Sequence, residues 1–359
     1  MEFKNRAEQT FKSLKVSWEK KIMELTFTKK FDFEEEEFQV KKSPFREVVS
    51  FIGGNLKFLI IPGSRIEELE KREFEYEKTI SKRKFIKRLK SPLTILGICI
   101  IFFIVTIAVF PDWLSTYTFV EASEKIYIGR FAAPSTAHPL GQTELGRDVL
   151  AKIIYGARSS LTIALPSIAL SVVTGTALGI TAAFYGGWID SIIMRIMDTM
   201  LAFPGLILAM VFIAVWGQKM EYIMFAYGII GIPFYSRLIR GNVLQARELP
   251  YIQAAKVSGA GNGRIMFRHI LPNIIQPVII SVTFNIGGII LNLAGLSFLG
   301  FHDPRMIEWG DDINAARGNL VNAPWASLWP GFMIAITVLG FMLLGDGLRD
   351  ALDPRLKNL

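Results

Sequence analysis

Between Leu93 and Leu344 the chain carries six long runs with almost no charged side chains. A helix crossing the hydrocarbon core needs about 20 apolar residues, and lipid offers no water to satisfy a backbone left outside a helix. That requirement predicts an all-α polytopic membrane protein with six transmembrane helices. The expected spans are 93–110, 160–184 with Pro166 inside, 199–216, a fourth from about Tyr222, 274–296 and 329–344. The fourth is uncharged only to Ser236. It is expected to continue past Arg237 and Arg240, whose side chains would leave the membrane or face protein.

Charge is distributed very unevenly. The first 91 residues hold 22 of the 40 Lys and Arg and 16 of the 32 Asp and Glu. This divides the chain into an N-terminal cytoplasmic or interfacial extension, 1–90, and a membrane domain, 91–359. Within the extension, 48–62 is apolar but too short to span and is expected at an interface. Residues 64–90 are expected as cytoplasmic helix ending in the basic KRKFIKRLK at the bilayer surface. The net charge of +8 is a positive-inside bias and not a nucleic-acid footprint. The lone Cys99 supports neither a disulfide nor a metal site. With no apolar run in residues 1–47, no cleaved signal peptide is expected, and the first span acts as its own signal.

Lys and Arg also set the orientation. The basic N-terminal segment belongs in the cytoplasm, and six spans return Arg349, Arg355 and Lys357 to the same side. The basic stretch 237–268 then falls inside. The loops 111–158 and 302–325, with at least as many acids as bases, fall outside.

Between the fourth and fifth spans lies a polar hinge, YIQAAKVSGAGNGRIMFRHILPN, at 251–273. Its alanines and lysine favour a short helix. Gly259, Gly261 and Gly263 are expected to turn the backbone through positive φ. Pro272 sits where the next helix tolerates proline best. A short helix held out between two spans is a surface for a partner to grip.

Gln253-Ala254-Ala255, then Gly259 six residues from the first motif position, then Leu271-Pro272, resembles the "EAA" loop of ABC-importer permeases. In that family the loop forms a coupling helix that docks in a cleft of a cytoplasmic ATPase. Further matches narrow the group: His138-Pro139-Leu140-Gly141, Gly146-Arg147-Asp148-Val149-Leu150, Tyr155-Gly156-Ala157-Arg158 and Gly186-Gly187-Trp188 with Asp190. Leu201-Ala202-Phe203-Pro204, Leu296-Ser297-Phe298-Leu299-Gly300 and Gly345-Asp346-Gly347-Leu348-Arg349-Asp350 complete the series. Together they resemble the second, C-type permease subunit of dipeptide, oligopeptide and nickel importers over roughly 85–357. Two departures stand out: Gln253 replaces the usual glutamate, and Gln142-Thr143 replaces the usual Thr-Asp.

The resemblance implies a type I importer architecture and a coupling surface made of Gln253, Ala254, Ala255, Lys256, Gly259, Leu271 and Pro272. It also implies a homologous second permease subunit, two ABC ATPase subunits carrying ATP and Mg, and an extracellular or periplasmic substrate-binding protein. The same architecture serves nickel chelates and oligosaccharides. From the residues themselves, Asn285 and Asn292 lie seven apart on one helix face and either line a pathway or bond neighbouring helices. Asp198, close to Arg195 in sequence, is either a pathway acid or an interfacial ion pair or helix N-terminal charge. The chain has no Walker lysine motif, and GAGNG lacks phosphate-loop spacing, so ATP binding and catalysis are expected on other subunits. His138, His269 and His302 are too scattered to hold a metal. An ion-coupled secondary transporter would place ionisable groups near the midplane, whereas these charges cluster at span ends.

Overall fold

The computed structural model describes residues 89–124 and 129–352, which belong to one unit, Ile80–Leu359. The expected segments 48–62 and all but the end of 64–90 lie outside the described residues, as do Arg355 and Lys357.

The described chain is almost entirely helical. Helix α1, Pro92–Val109, starts from Ser91, whose hydroxyl accepts from the Thr94 amide, with Pro92 at the first turn. Short α2, Pro111–Leu114, and α3, Phe119–Ser123, follow. Then come α4, Val149–Tyr185, α5, Gly187–Leu201, α6, Gly205–Trp216, and α7, Met220–Ala246. After a jointed segment, α8, Pro250–Val257, and α9, Asn262–Arg264, lead into α10, Leu271–Ile274, and α11, Gln276–Phe298. The short α12, Trp309–Ala316, precedes the long α13, Trp325–Leu352. Five of these, α1, α4, α7, α11 and α13, are long and apolar enough to cross a bilayer, and α5 with α6 forms a pair bent by 90°.

Two expected spans need correction. The second helix begins at Val149, eleven residues before the expected Ser160, because Asp148 caps it by accepting from the Ala151 amide at 2.7 Å. Lys152 interrupts the apolar run in sequence, yet it is buried and paired with Asp312 of α12. The expected third span, 199–216, straddles a break at Ala202–Pro204. Pro204 has no amide proton and excludes Phe203 from helix. Only the 12 residues of α6 remain, about 18 Å of helix against about 30 Å of hydrocarbon.

Close helix contacts are made where side chains are small. Among the described helices, α4 and α7 share the most extensive contact. A Cβ on Gly175 would lie 2.6 Å from the Tyr235 Cβ, and one on Gly228 would lie 2.5 Å from Leu170. Buried Ser167 and Ser171 donate to the carbonyls of Met224 and Gly228 at 2.9 and 2.7 Å. In lipid, such approach and bonding replace the hydrophobic drive that holds soluble helices together. The same logic binds α1 to α13, where a Cβ on Gly97 would meet Leu343 at 2.8 Å.

At the end of the bundle where α4 begins, loop 129–148 is clasped into place. Gly141, at φ 79°, lies against the Trp325 ring, and Trp325 Nε1 donates to the Gln142 carbonyl at 3.3 Å. Asp148 also holds His138 Nδ1 at 3.0 Å, and His138 stacks on Tyr117. Gln142 Nε2 donates to the Gly146 carbonyl at 2.8 Å. Here the chain's unusual Gln142 makes the loop's own internal bond. Nearby, Asp303 accepts from Arg305 and from the Met220 amide that starts α7. The Arg305 guanidinium holds the Asp303 carboxyl down to about 2, against the opposing pull of burial.

Candidate functional site

The hinge forms at the opposite end of α4 and α7. Helix α7 ends at Ala246. After a turn at 247–249, Pro250 opens α8, where its missing amide would have had no partner. Ile252 is fully buried in the main core, and Ala255 and Ala260 pack against it. Tyr251, Gln253, Ala254, Lys256 and Val257 are exposed, Val257 to 91%. Ile252, with Ala255 half-buried beside it, thus anchors a helix whose other side chains face outward.

The end of α8 is defined by its hydrogen bonds. The Ala260 amide reaches back to the Ala255 carbonyl and the Gly259 amide to the Lys256 carbonyl, each at 3.0 Å. With Gly259 at φ 79°, this is a Schellman cap, with Ala255 and Ala260, at the positions where its apolar clasp falls, both packed on the core. Only Gly259 of the three hinge glycines adopts positive φ. Gly261 sits at φ −66° as the extended residue before α9, and Gly263 is helical. A sequence cannot separate these three, because only the cap's hydrogen-bond register demands the left-handed residue.

Beyond α9 the backbone widens into a π-helical turn, Ile265–Ile270, in which the Leu271 amide bonds the Met266 carbonyl five residues back. It stands directly before Pro272, whose ring crowds the preceding turn of a regular helix. Ile265, Met266 and Ile270 are buried, while Arg264, Phe267 and Arg268 are exposed. Asn273 Nδ2 donates to Tyr251 Oη at 3.2 Å and to the His269 carbonyl at 2.9 Å, tying α8 to α10. Gln253, Ala254, Lys256, Gly259 and Pro272 all lie at the surface of this joint, and Ala255 and Leu271 are half-buried beneath it.

The joint is fixed to the bundle by charge. Arg247 Nη1 donates to the Ala183 carbonyl near the end of α4 at 2.7 Å, and Arg247 Nε to Glu248 at 2.9 Å. About two and three turns back along α7, Arg240 and Arg237 pair with Asp190 and Asp198 of α5. Asp198 therefore meets Arg237 and not its sequence neighbour Arg195. Asn285 of α11 donates to Tyr235 Oη of α7 at 3.0 Å, whereas Asn292 is exposed on α11. Sequence reasoning passed over Asp190, Arg240 and Arg247 as a set. Their signal was present in charges lying 50 and more residues apart that only the fold brings together.

Long apolar helices with a capped helical joint anchored at one end define a polytopic membrane protein. Residues 175–358, just over half the chain, match the family described as binding-protein-dependent transport system inner membrane component. The chain is 41% identical over 288 residues to the dipeptide transport system permease protein DppC of Alkalihalophilus pseudofirmus, covering 80% of this chain and 94% of that one. It is 46% identical over 226 residues to the glutathione transport system permease protein GsiD of Pectobacterium atrosepticum, covering 63% and 75%. It is 38% identical over 256 residues to GsiD of Escherichia coli, covering 71% and 84%. The chain belongs to the family of binding-protein-dependent transport system inner membrane components, and is a multi-pass permease of the cell membrane.

Proposed function

We propose that this chain is the C-type permease subunit of an ATP-driven peptide importer and forms half of its translocation pathway. In this reading the bent pair α5–α6 counts as one of six spans of a type I importer, both termini are cytoplasmic, and residues 1–90 form a cytoplasmic extension to a membrane domain at 91–359. A related permease completes the pathway, two ATPase subunits bind ATP and Mg, and a binding protein delivers substrate from outside. The dipeptide and glutathione permeases among the relatives support a short peptide as cargo.

The observation that carries this reading is the construction of α8. It is anchored by Ile252, closed by the Gly259 cap, and exposed on Tyr251, Gln253, Ala254, Lys256 and Val257. Its mechanism follows from helix-in-groove recognition. When ATP closes the ATPase pair, the gripped α8 is displaced and drags the inner ends of α7 and, through Arg247, α4. Inward-open and outward-open forms then exchange populations. Taking such a balance from 1:99 to 99:1 requires about 5.5 kcal/mol of differential binding.

The test is isolation of the tagged chain from native membranes, identification of its partners, and reconstitution in liposomes with a labelled dipeptide. ATP-dependent accumulation with two ATPase subunits and a second permease is expected. Uptake that survives without ATP and collapses with an ion gradient would overturn the reading.

A further inference from the structure

Helix α5 is held in an unusual way for a segment inside a membrane protein. At its start, Gly186 and Gly187 both take positive φ, 67° and 55°. At its end the chain breaks over Ala202–Pro204 and turns by 90° into α6. Between these hinges α5 is amphipathic: Trp188, Ile192 and Ile196 are exposed, while Asp190 and Asp198 face α7. An open cleft lined by Met194, Asp198, Arg237, Arg240 and Gly241 separates the two helices over part of their length. Arg240 and the Asp198–Arg237 pair line this cleft, and Arg240 reaches on to Asp190.

The two pairs differ in strength. Asp190 accepts from Arg240 Nε and Nη2, both at 2.7 Å, a bidentate arrangement with side chains only 18% and 35% exposed. Fork-to-fork pairs of this kind are geometrically specific. Asp198 and Arg237 are 58% and 51% exposed, the environment in which ion pairs contribute little. Arg240 stands seven residues, about two turns, before Arg247 on a continuous helical path. The last turns of α7 therefore grip α5 through Asp190, grip the end of α4 through the Ala183 carbonyl, and lead directly into α8.

We infer that Arg240 and Asp190 are positioning residues for transport, making α5 a double-hinged strut that moves with the inner end of α7 and passes the displacement of α8 on to α6. The pair stays closed through the cycle, and the Gly186–Gly187 and Ala202–Pro204 hinges absorb the motion. This inference rests on the coupling role proposed for α8.

The experiment uses the reconstituted importer complex and measures peptide taken up per ATP hydrolysed. Arg240→Gln is expected to lower that ratio at least fivefold with ATP hydrolysis kept within twofold, while Asp198→Asn changes it less than twofold. The exchange Asp190→Arg with Arg240→Asp is expected to recover most of the ratio, which a general packing role would not allow. A second arm replaces the ion pair covalently. Cys99 is the chain's one cysteine, so Asp190→Cys with Arg240→Cys in a Cys99→Ser background is joined by a short bis-methanethiosulfonate; a direct disulfide would be too short to replace an arginine's reach. The tethered complex is expected to keep its coupling, and reduction is expected to uncouple it. This arm decides the matter where Arg240→Gln fails to assemble. An unchanged ratio in Arg240→Gln, or a tether that abolishes uptake, overturns the strut. A wild-type complex without ATP-driven uptake would instead overturn the coupling role itself.

Discussion

The side-chain amide of Gln253 donates to the main-chain carbonyl of Arg247, 3.4 Å away across the turn that joins α7 to α8. Arg247 caps α7, so its carbonyl is one of the orphan acceptors at a helix C-terminus. A carboxylate at 253 cannot donate and would sit against the negative end of α7. The departure from glutamate thus has a local role in this chain. Gln253→Glu is expected to cost the joint about 1 kcal/mol, the range of one exposed hydrogen bond plus a dipole term. Amides of α8 should then exchange with deuterium about fivefold faster, measured by peptide-level mass spectrometry. Slower exchange would show that a carboxylate suits this joint better.

The Gly259 cap and the neighbouring glycines make a controlled comparison. A Cβ at Gly259, Gly261 or Gly263 meets nothing within 4 Å, so only backbone conformation separates them. Gly259→Ala places a side chain in the left-handed region at about 1–2 kcal/mol, whereas Gly261→Ala fits its φ of −66°. Uptake in the reconstituted complex should fall severalfold for the first and stay within twofold for the second. Gly259→Trp and Ala255→Arg, which also obstruct a docking surface, should uncouple uptake from hydrolysis.

Lys152 and Asp312 are each buried to 4% exposure and face one another between α4 and α12. Lys152→Met leaves a buried carboxylate without its cation, a loss of about 3–5 kcal/mol. Thermal unfolding in detergent should shift down by several degrees. Lys152→Met combined with Asp312→Leu should recover much of that loss, since the apolar replacement removes both charges together.

Glu308, just before α12, is buried to 3% exposure. Burial first, and then the charges of Asp311, Asp312 and Asp303, push its carboxyl up to about 8. The folded form keeps a proton that the unfolded chain releases from its ordinary value near 4.5. Between those limits the native state binds more protons, so stability falls as pH rises from about 5 to 8. A melting-temperature profile across that range should slope downward in the wild type and flatten in Glu308→Gln. Parallel profiles would refute the assignment.

Gly175 offers a direct test of helix packing between α4 and α7. With its Cβ position 2.6 Å from the Tyr235 Cβ and 2.9 Å from the Ile232 carbonyl, Gly175→Val should force α4 and α7 apart. A destabilisation of about 1–3 kcal/mol is expected, as for overpacked cores, read as lost monodispersity after mild heating. Gly288→Ala on α11, with open space around it, should be silent.

Much of the architecture was legible from hydropathy alone. The glycine at 259 and the apolar runs at α1, α7, α11 and α13 correspond to the helices that form. The errors share one cause. Counting apolar residues began the second span at Ser160, beyond Lys152 and Arg158, and carried the third across Pro204, because a window reads composition and not partners. Lys152 can be buried within α4 because Asp312, 160 residues later, pairs with it. Asp198, left open as a pathway acid or an ion pair, meets Arg237, 39 residues later, and not the adjacent Arg195.

The sequence by itself determined that this chain is a membrane protein of several spans, and that a short helix ending at Gly259 stands between two of them, since period, length and glycine placement are local properties of the chain. Only the tertiary structure decided which charges meet, which of three glycines is left-handed, that α5 and α6 bend apart, and that Gln253 reaches back to Arg247. Those outcomes depend on contacts between residues far apart in sequence, where hydrogen-bond geometry and the cost of burying unpaired charge select one arrangement.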